Sequence, residues 1–481
     1  MTETTSQAVR AQLEHPIIDA DGHFVEIGPL LGDEVLSYVE EIGGAALRDR
    51  YLTSGIAPTD TSTVLADRSL AAVRGQWSAM PSWWGWPTRN VHDRATAHLP
   101  RLLHERLDEL GVDVTILYPS MSLAFLDAPD PELAAVLCRA VNRYHARVFA
   151  PYADRMLVGA IVPMHDPANA IGVLDHAVCE MGLRSVLISG YARRPLVDGS
   201  TFPYRLDTFG LDSDHDYDPF WARCVELGVA PVSHSSVQHH RVTRSISNYV
   251  YNHVGGLAAG HESLCKSLFL GGVTRRFPGL RVGFLEGGVA WACSLLADVL
   301  GHWEKRNSVA IDDLDPANLD VDALIADFAR YGTPDVVADL DRLREYFGRP
   351  GARPAQVDEF AALEAEKPED LVALFERRFY FGCEADDPLI TWAFAEDVNP
   401  HGARLRPVLG SDIAHWDVQD MTHPIAESWE LVERGLIDER AFRELTFLNP
   451  ARLHAGGNPD FFAGTVCERT VAEALAQDDA P

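Results

Sequence analysis

Short runs of apolar and β-branched residues recur along the chain, and each is followed by a helical or loop pattern. Continuous apolar runs of this length are typical of strands covered on both faces, as in a parallel sheet. Eight of them alternating with helices is the number that closes a β/α barrel. The pattern therefore predicts an α/β fold, a distorted (β/α)8 TIM barrel. The runs are Pro16–Ala20, Val112–Tyr118, Met156–Pro163, Arg184–Ser189, Val229–Ser233, Arg281–Leu285, Phe379–Gly382 and Arg406–Gly410.

The alternative to a barrel is a doubly wound open sheet, which needs a glycine-rich first turn. The residues after the first apolar run, Asp19–His23, are not such a turn. Helices are clearest where apolar residues recur at helical spacing, as in Ala168–Met181 and Phe220–Leu227. Each is followed by a glycine, Gly182 or Gly228, which is suited to end a helix.

Two stretches exceed what a minimal barrel needs, one from about 35 to 105 and one from about 306 to 375. Neither carries an alternating core pattern of its own. We therefore expect one barrel domain over residues 1–481, with helical insertions at these two places. A single α/β barrel runs to about 250 residues or more, so the length of the chain is compatible with this expectation.

Charge and composition narrow the possible partners. The chain has 71 acidic and 41 basic side chains, and its net charge of −30 repels nucleic-acid backbones and anionic lipid. Its seven cysteines are scattered without C-x-x-C spacing, which fits reduced thiols. The N-terminus has no signal-peptide pattern, and no apolar run reaches the ~18–20 residues of a membrane span. We expect a cytoplasmic enzyme with a small-molecule substrate and no nucleic-acid or membrane partner.

Candidate chemistry begins at the end of the first strand, in the segment Asp19–His23 (DADGH). Residues two apart in a strand point to the same face, so Asp21 and His23 can both face the barrel mouth. A carboxylate beside an imidazole is a natural ligand pair for a divalent metal. The alternative is an N-terminal turn in which Asp19 or Asp21 caps the next segment.

Two further polar side chains follow later strands. His234 comes directly after the apolar run Val229–Ser233, and Asp412 closes the last one. A carboxylate in that position can bind a metal and accept a proton from bound water. Taken alone, His234 also fits a hydrogen-bonded loop histidine, and Asp412 fits a helix N-cap. Taken together with the first strand, these residues lie at strand ends that a barrel brings to one face.

Five segments carry a resemblance to a known family. They are Ile17–Glu26 (IIDADGHFVE), Glu226–Ser236 (ELGVAPVSHSS), Gly271–Trp291 (GGVTRRFPGLRVGFLEGGVAW), Leu409–Asp417 (LGSDIAHWD) and Asn449–Leu453 (NPARL). With these segments the chain resembles the branch of the amidohydrolase superfamily that contains aminocarboxymuconate-semialdehyde decarboxylase and the resorcylate- and vanillate-type decarboxylases. The resemblance covers most of the chain outside the two expected insertions.

The resemblance implies one divalent metal ion, zinc or manganese, in a mononuclear site. It gives His415 a contact with the substrate or with a metal ligand, and it implies a homodimer. Many relatives have histidine where this chain has an aspartate at position 21, although the resorcylate-type decarboxylases also have a carboxylate there. The ligands that the resemblance implies are Asp21, His23, His234 and Asp412.

The sequence offers more than one candidate for the general acid–base residue. The semialdehyde decarboxylase has a catalytic histidine where this chain has Glu286, at the end of the apolar run Arg281–Leu285. Glu286 is either a proton carrier at the barrel mouth or a structural residue that stabilises the N-terminus of the next helix. Asp412 and His415 are the other candidates for catalysis.

Substrate contacts are harder to predict. Trp84 and Trp86, in the segment Ser82–Pro87 (SWWGWP), would together with Arg89 suit an aromatic carboxylate through stacking and a guanidinium–carboxylate pair. His253 is a further candidate. Ordinary packing of an insertion against the barrel explains the tryptophans as well.

Three functions remain open. The leading hypothesis is non-oxidative decarboxylation of a small aromatic or conjugated carboxylic acid, with Glu286 or Asp412 managing the proton. The second is hydrolysis of an amide, ester or lactone by metal-activated water, with Asp412 as the base. The third is a non-catalytic binding protein on the same fold, since fold alone never establishes activity.

Overall fold

The structure, a computed structural model of the chain, describes residues 5–54, 56, 80, 89–196, 204–234, 245–349, 356–415 and 418–478. Its strands, in chain order, are β1 (Ile18–Phe24), β2 (Val114–Pro119), β3 (Met156–Val162), β4 (Ser185–Ile188), β5 (Ala192–Pro195), β6 (Tyr204–Asp207), β7 (Pro231–Ser233), β8 (Val282–Phe284), β9 (Phe379–Glu384) and β10 (Pro407–Gly410). Eight of them form one sheet in the order β1-β2-β3-β4-β7-β8-β9-β10, and all its ladders are parallel. The predicted (β/α)8 barrel is confirmed.

The two ends of the sheet meet just beyond β10. The backbone N–H of Asp412 donates to the carbonyl of Asp21 (3.0 Å), and the N–H of His23 donates to the carbonyl of Ile413 (2.9 Å). These hydrogen bonds connect the last strand to the first and bring the sheet close to a closed barrel. They also fix the backbone at the positions for which the sequence predicts metal ligands.

All eight apolar runs become barrel strands, with one shift at the first. The apolar run ends at Ala20, whereas β1 continues to Phe24 through the polar residues, and its register against β2 shifts between Asp19 and Gly22. The antiparallel pair β5–β6 was not predicted. Its sequences, ARRP and YRLD, are too polar to be recognised as strands from apolar content.

Helices cover the outside of the barrel and begin at capping residues that the sequence supplies. Asp130 accepts a hydrogen bond from Leu133 N (3.2 Å), and Asp166 accepts one from Asn169 N (2.9 Å). The longer helices in the described part of the chain are Gly28–Thr53, Val91–His98, Pro131–Phe149, Pro167–Asp175, Asp218–Leu227, Gly256–Leu270, Ala290–Arg306, Val321–Tyr331, Leu340–Phe347, Pro368–Glu376, Pro424–Glu433 and Glu468–Asp478. Shorter ones are Ser6–Gln12, Pro100–Arg106, Tyr249–His253, Val273–Arg276, Pro334–Ala338, Ile390–Ala393, Glu439–Arg443 and Asn449–Ala455.

The two helices expected from their spacing are present. One is Pro167–Asp175, continued by a π-helical turn over His176–Glu180 and followed by Gly182 at φ 73°. The other is Asp218–Leu227, which ends at Gly228 with φ 66°. Glycine adopts this left-handed conformation without a steric penalty, which explains both helix ends.

Aromatic side chains on two adjacent strands fill part of the core. Phe284 on β8 lies 5.5 Å from Phe379 and 5.9 Å from Phe381 on β9, measured between ring centroids. All three are fully buried. Each buried ring stabilises the fold by roughly 1.5–3 kcal/mol relative to an exposed one. This packing holds in place the strand that leads to Glu286.

The expected insertions contain helices of contrasting burial. Residues 321–347 form short helices that are largely exposed, whereas the helix Gly28–Thr53, kinked at Gly44, buries one side against the helix Pro131–Phe149. The division of the chain into one barrel domain with insertions at about 35–105 and 306–375 stays a prediction. No helix within the described ranges is long and apolar enough to cross a membrane.

Candidate metal centre

Asp21 and His23 contribute the first side chains of the site. They are 2% and 1% exposed, and Asp21 Oδ1 lies 3.7 Å from His23 Nε2. Gly22 between them has no room for a side chain, since an added Cβ would lie 2.4 Å from the hydroxyl oxygen of Thr115. The alternation of the strand and this glycine let both polar side chains share one buried face.

His234 follows β7 and joins the same group. Its Nε2 lies 3.5 Å from Asp21 Oδ1, and its ring meets that of His23 edge-on with centroids 4.9 Å apart. One ligand atom each of Asp21, His23 and His234 lie within 4.8 Å of one another. The structure thus brings together side chains that are 213 positions apart in sequence, from 21 to 234.

Asp412 approaches this group from the end of β10. Its Oδ1 lies 3.1 Å from His23 Nε2, and its Oδ2 accepts a hydrogen bond from His415 Nδ1 (2.8 Å). The His415 ring also stacks on His23, with centroids 4.9 Å apart. The next helix begins only at Pro424, so the N-cap that the sequence allowed for Asp412 is not what this residue forms.

Glu286 lies on the other side of His234. Its Oε2 is 3.4 Å from His234 Nε2, and its Oε1 is 3.8 Å from His253 Nε2. The following helix begins at Ala290 with Val289 at its N-cap and no side-chain cap. Glu286 therefore faces the histidines of the site, and the helix-capping alternative finds no support in this geometry.

Two of the site's carboxylates have unusual backbone conformations. Glu286 has φ 58° and Asp412 has φ 50°, in the left-handed region that residues with a side chain adopt rarely. Such conformations cost on the order of 1–3 kcal/mol and persist where the surrounding structure imposes them. In both cases the residue is the second after a barrel strand, where the chain turns its carboxylate toward the centre.

The site has the ligand types of a cation site, and several of its buried polar atoms lack a hydrogen-bond partner within the described ranges. Two imidazoles, His23 and His234, face the carboxylates of Asp21, Asp412 and Glu286 within the distances given above. Among the described residues, Asp21 Oδ1, His23 Nε2, Asp412 Oδ1 and Glu286 Oε1 are buried and make no hydrogen bond of good geometry. Buried polar atoms are nearly always paired, so these atoms fit a bound divalent cation.

Electrostatic interactions stabilise the charged forms of the site residues. Burial alone would raise the pKa of Asp412, but the facing His415 and His23 outweigh it and lower that pKa. Burial opposes the ionisation of Glu286 in the same way, and the neighbouring imidazoles, with His253 first, lower its pKa overall. For His234, burial is outweighed by Asp21, and the pKa is raised.

Asp19 forms hydrogen bonds that hold together the strands carrying the predicted ligands, a role that the sequence did not indicate. Its Oδ2 accepts hydrogen bonds from Thr115 Oγ1 (2.7 Å) and Ser411 Oγ (2.8 Å), and its Oδ1 accepts from the backbone N–H of Ser411 (2.9 Å) and of Asp21 (3.3 Å). Burial raises the pKa of Asp19 to about 6, against the lowering effect of these hydrogen bonds. Asp19 thus connects β1, β2 and β10 next to the predicted ligands.

His261 is a second residue that sequence analysis missed. Its Nε2–H donates to the carbonyl of Leu285 (2.7 Å), immediately before Glu286. A Cβ added at Gly287 would lie 2.8 Å from the His261 ring, so the glycine allows this close packing. Burial lowers the pKa of His261 to about 4, which keeps the ring neutral. Only the fold reveals it, since it lies within the helix Gly256–Leu270 at no strand end.

Two cavities adjoin the site at the carboxyl face. One of about 320 Å³ is bordered by Asp412, and one of about 490 Å³ is bordered by Glu286 and His253. Their described walls are acidic and contain neither lysine nor arginine. The acidic residues lining one or both of them, besides Asp412 and Glu286, are Glu384, Asp386, Asp387, Asp420 and Glu427.

The predicted substrate contacts divide into three cases. His253 borders the cavity beside Glu286. Arg89 is exposed ahead of the helix Val91–His98, and no contact within the described ranges joins it to the site. Trp84 and Trp86 lie outside the described residues.

Comparisons with known proteins agree with this architecture. The family model for amidohydrolases, Amidohydro_2, matches residues 18–348. Decarboxylase orsB of Emericella nidulans is 31% identical over 159 residues, which are 31% of this chain and 44% of that protein. The match therefore spans less than half the length of this curated relative.

One solved structure has the same fold at low sequence identity, and a second matches over a similar share of the chain with a lower TM-score. An amidohydrolase from Mycobacterium avium subsp. paratuberculosis K-10 is 16% identical with a TM-score of 0.54, and the match covers 92% of this chain and 99% of the other. A dihydroxybenzoic acid decarboxylase from Polaromonas sp. JS666, with bound manganese and 2-nitroresorcinol, is 15% identical with a TM-score of 0.48. That match covers 93% of this chain and 99% of the other.

Proposed function

The chain belongs to the amidohydrolase family, and from that premise we propose that it is a metal-dependent, non-oxidative decarboxylase of a small aromatic or conjugated carboxylic acid. One divalent ion would be held by Asp21, His23, His234 and Asp412. The observation that carries the proposal is the group of buried ligand atoms on Asp21, His23 and Asp412 that converge on one another without a hydrogen bond of good geometry in the described part of the chain. The similarity to a curated decarboxylase supports the choice of reaction.

Manganese is the ion that we propose. The predicted ligands alone, two nitrogens and two oxygens, leave zinc and manganese open, since imidazole suits zinc and carboxylate suits harder ions. The structure places a third carboxylate beside these ligands without adding it to them, because Glu286 Oε2 lies 3.4 Å from His234 Nε2, and its negative charge favours the harder ion. A bound divalent ion supplies positive charge that attracts the carboxylate of the substrate and a neighbouring oxygen.

The acidic cavity walls restrict where a substrate carboxylate can bind. Glu384 and Asp386 border both cavities, and the cavity beside Asp412 is also bordered by Asp420 and Glu427. Asp387 borders the cavity beside Glu286. A carboxylate placed against these walls would be repelled. We therefore propose that the reacting carboxylate lies at the ligand group itself and that the rest of the substrate carries no second negative charge toward the described walls.

Glu286 is the proposed proton carrier. In decarboxylation the carbon–carbon bond to the carboxylate breaks, CO₂ leaves, and the electron pair stays on the carbon, which then takes a proton. Glu286 lies between His234 and His253, at 3.4 and 3.8 Å. The His253 side chain is 19% exposed and that of Glu286 is 3% exposed. Because His253 is the more exposed of the two side chains, it can take a proton from solvent and pass it to the buried Glu286.

Hydrolysis of an amide, ester or lactone is the second candidate. The observation that favours it is the hydrogen bond from His415 Nδ1 to Asp412 Oδ2, because an oriented carboxylate beside the ligands can act as a base toward water. In this scheme Asp412 takes the proton and Glu286 has no required part. The third possibility, a non-catalytic binding protein, predicts neither reaction.

The test is a product analysis with the manganese-loaded protein. Benzoates with a hydroxyl beside the carboxylate, together with a lactone and an aryl ester, form the substrate panel. Release of CO₂ and the matching phenol supports the proposal, and loss of the reaction in His234→Ala links it to this site. Formation of acid from the ester or lactone without CO₂ from any benzoate overturns it in favour of hydrolysis.

Assembly and location are proposed on sequence grounds only. We propose a homodimer, which light scattering of the purified protein tests. The cytoplasmic location expected from the cysteine pattern is tested by cell fractionation.

A further inference from the structure

A cleft rich in arginine lies on the opposite face of the barrel from the candidate metal centre. Its volume is about 1090 Å³, and its described lining contains seven arginines against two glutamates. Arg281, Arg378 and Arg406 each immediately precede a strand, β8, β9 and β10 respectively. Those strands lead on to Glu286 and Asp412 at their other ends, so the cleft is at the amino-terminal face.

The sheet sets these three arginines side by side. The N–H of Val282 donates to the carbonyl of Arg378 (2.8 Å), and the N–H of Phe381 donates to the carbonyl of Arg406 (3.0 Å). Because neighbouring strands are about 4.8 Å apart, the three backbone positions span about 10 Å across the ladder. The arginines are scattered from position 281 to 406 in sequence, and only the fold assembles them.

Contacts with other groups position two of the guanidiniums. Arg406 Nη1 donates to the hydroxyl of Tyr380 (2.6 Å). The Arg281 guanidinium lies against the backbone at Gly456, where an added Cβ would be 2.8 Å from its Cζ. Neither contact neutralises the positive charge, and the lining carboxylate that interacts electrostatically with Arg406 and Arg377 is Glu376, which forms an ion pair with neither.

Of the seven arginines of the cleft, Arg452 donates to Asn449 Oδ1 (3.1 Å), and the other six fall into two groups. Arg404 forms ion pairs with Glu396 (2.8 Å) and Glu444 (3.0 Å), and Arg440 also pairs with Glu444 (3.3 Å). The second group forms no ion pair with a carboxylate of the described residues, and in Arg378 the Nε is buried without a hydrogen-bond partner there. This second group consists of Arg281, Arg378 and Arg406, which are partly buried, and Arg377, which is exposed.

Three partly buried arginines without an ion pair are unexpected in this chain. It has 71 acidic side chains for 41 basic ones, so carboxylates are in excess. Bringing like charges together in a partly buried cleft destabilises the fold. Burial lowers the pKa of Arg378, and the neighbouring Arg281 and Arg377 lower it further. A bound anion would remove this repulsion, whereas a purely structural role leaves it unexplained.

We propose that the cleft binds a small anion that carries two or more phosphate groups. Guanidinium is planar and binds phosphate oxygens through paired hydrogen bonds, which makes arginine the preferred phosphate-binding residue. A single phosphate offers too few oxygens to pair with all of these guanidiniums at once, while a diphosphate or longer group offers more oxygens and more negative charge. The volume of the cleft is at the upper end of the roughly 300–1,000 Å³ of small-molecule sites.

The experiment is calorimetric titration of the metal-loaded full chain with pyrophosphate, orthophosphate and citrate. We expect pyrophosphate to bind at least about 10-fold more tightly than either of the others, and to raise the melting temperature by about 2–5 °C at a hundredfold excess over its Kd. Absence of pyrophosphate binding, or equal binding of all three anions, overturns the proposal. Tighter binding of a polyglutamate peptide than of pyrophosphate would overturn it in favour of an acidic protein partner.

Matched variants separate binding from general charge and from metal chelation. Arg378→Met and Arg406→Gln should each weaken pyrophosphate binding by about 10- to 100-fold. Arg101→Met removes the same charge from an exposed pair with Glu105 elsewhere and should bind like the parent chain. Pyrophosphate chelates metal equally in all of these proteins. Without any anion, Arg378→Met should melt no lower than the parent, whereas a structural arginine would leave the variant less stable.

Discussion

Asp412 Oδ1 lies 3.1 Å from His23 Nε2, and this contact joins the last strand of the barrel to the first at the centre of the candidate site. The same strands are connected through the backbone, where Asp412 N donates to Asp21 O (3.0 Å). The contacts that close the barrel between β1 and β10 are therefore also the contacts that position the predicted ligands. A change that loosens the junction of β1 and β10 should affect both stability and metal binding.

Removal of one imidazole tests the metal site directly. His234→Ala takes away a group that lies 3.5 Å from Asp21 Oδ1, and we expect it to lose most of the roughly one equivalent of metal per chain. The measurement is metal analysis after gel filtration. His302→Ala, which changes an exposed histidine on the helix Ala290–Arg306, is the matched control. Full occupancy in His234→Ala would remove this residue from the site.

Substitution of Asp19 tests whether its hydrogen bonds stabilise the junction of β1, β2 and β10. Asp19→Ala leaves the hydroxyls of Thr115 and Ser411 and two backbone N–H groups without their acceptor in a fully buried place. We expect the free energy of unfolding to fall by about 2–4 kcal/mol, because each buried unpaired donor costs about 1–3 kcal/mol and part of the cavity relaxes. Urea unfolding measures this. Asp19→Asn keeps one acceptor oxygen and should lose less; equal stability of both variants and the parent would contradict the role.

Sequence analysis predicted the barrel well because apolar runs report strands that are buried on both faces. It could not predict β5 and β6, whose polar residues lie outside the barrel sheet. It also ended the first strand at Ala20, since Asp19–His23 is polar. That segment is nevertheless buried, because its carboxylates and imidazole face the candidate site or the β1–β2–β10 junction.

The sequence also could not predict which side chains contact one another, because these contacts join residues that are distant in the chain. The sequence allowed Asp412 and Glu286 to be helix caps, and only their positive φ and their approach to His23 and His234 decide between the alternatives. His261 acts on the site through a backbone carbonyl and has no motif. The arginine cleft combines residues from separate strands, so no local pattern contains it.

Glu286 is the residue on which the proposed reaction depends most. Glu286→Gln removes the ionisable carboxyl but keeps its size, so the metal content should be nearly unchanged while turnover falls by about 10²–10⁴-fold, the usual scale for a general acid–base group. Steady-state CO₂ release and metal analysis on the same samples measure this. Glu262→Gln, on the helix Gly256–Leu270 and paired with Lys266, is the control. Near-normal CO₂ release in Glu286→Gln would remove Glu286 as the proton carrier and leave Asp412 in that role.

A buried histidine far from the site should set part of the acid sensitivity of the fold. His454 is 1% exposed, stacks on Phe461 with ring centroids 4.6 Å apart, and neither ring nitrogen has a hydrogen-bond partner among the described residues. Burial lowers the pKa of His454 to about 3, compared with about 6.5 in the unfolded chain. Between these values the unfolded chain binds a proton that the folded chain does not. The contribution of neutral His454 to the free energy of unfolding should therefore be fully present above pH 6.5. It should decrease by about 1.4 kcal/mol per pH unit as the pH is lowered toward 3.

His454→Phe tests this by removing the titrating group while keeping a ring for the contact with Phe461. We expect the variant to gain stability relative to the parent as the pH is lowered from 6.5 to 4.5, and to show little pH-dependent difference between pH 7 and 8. Urea unfolding at each pH gives the free energies, and His302→Phe, at an exposed position, should reproduce the pH slope of the parent. A difference between His454→Phe and the parent that is the same at pH 4.5 and pH 7.5 would mean that folding does not shift the pKa of His454, because the two curves diverge only where the folded and unfolded chains bind different numbers of protons.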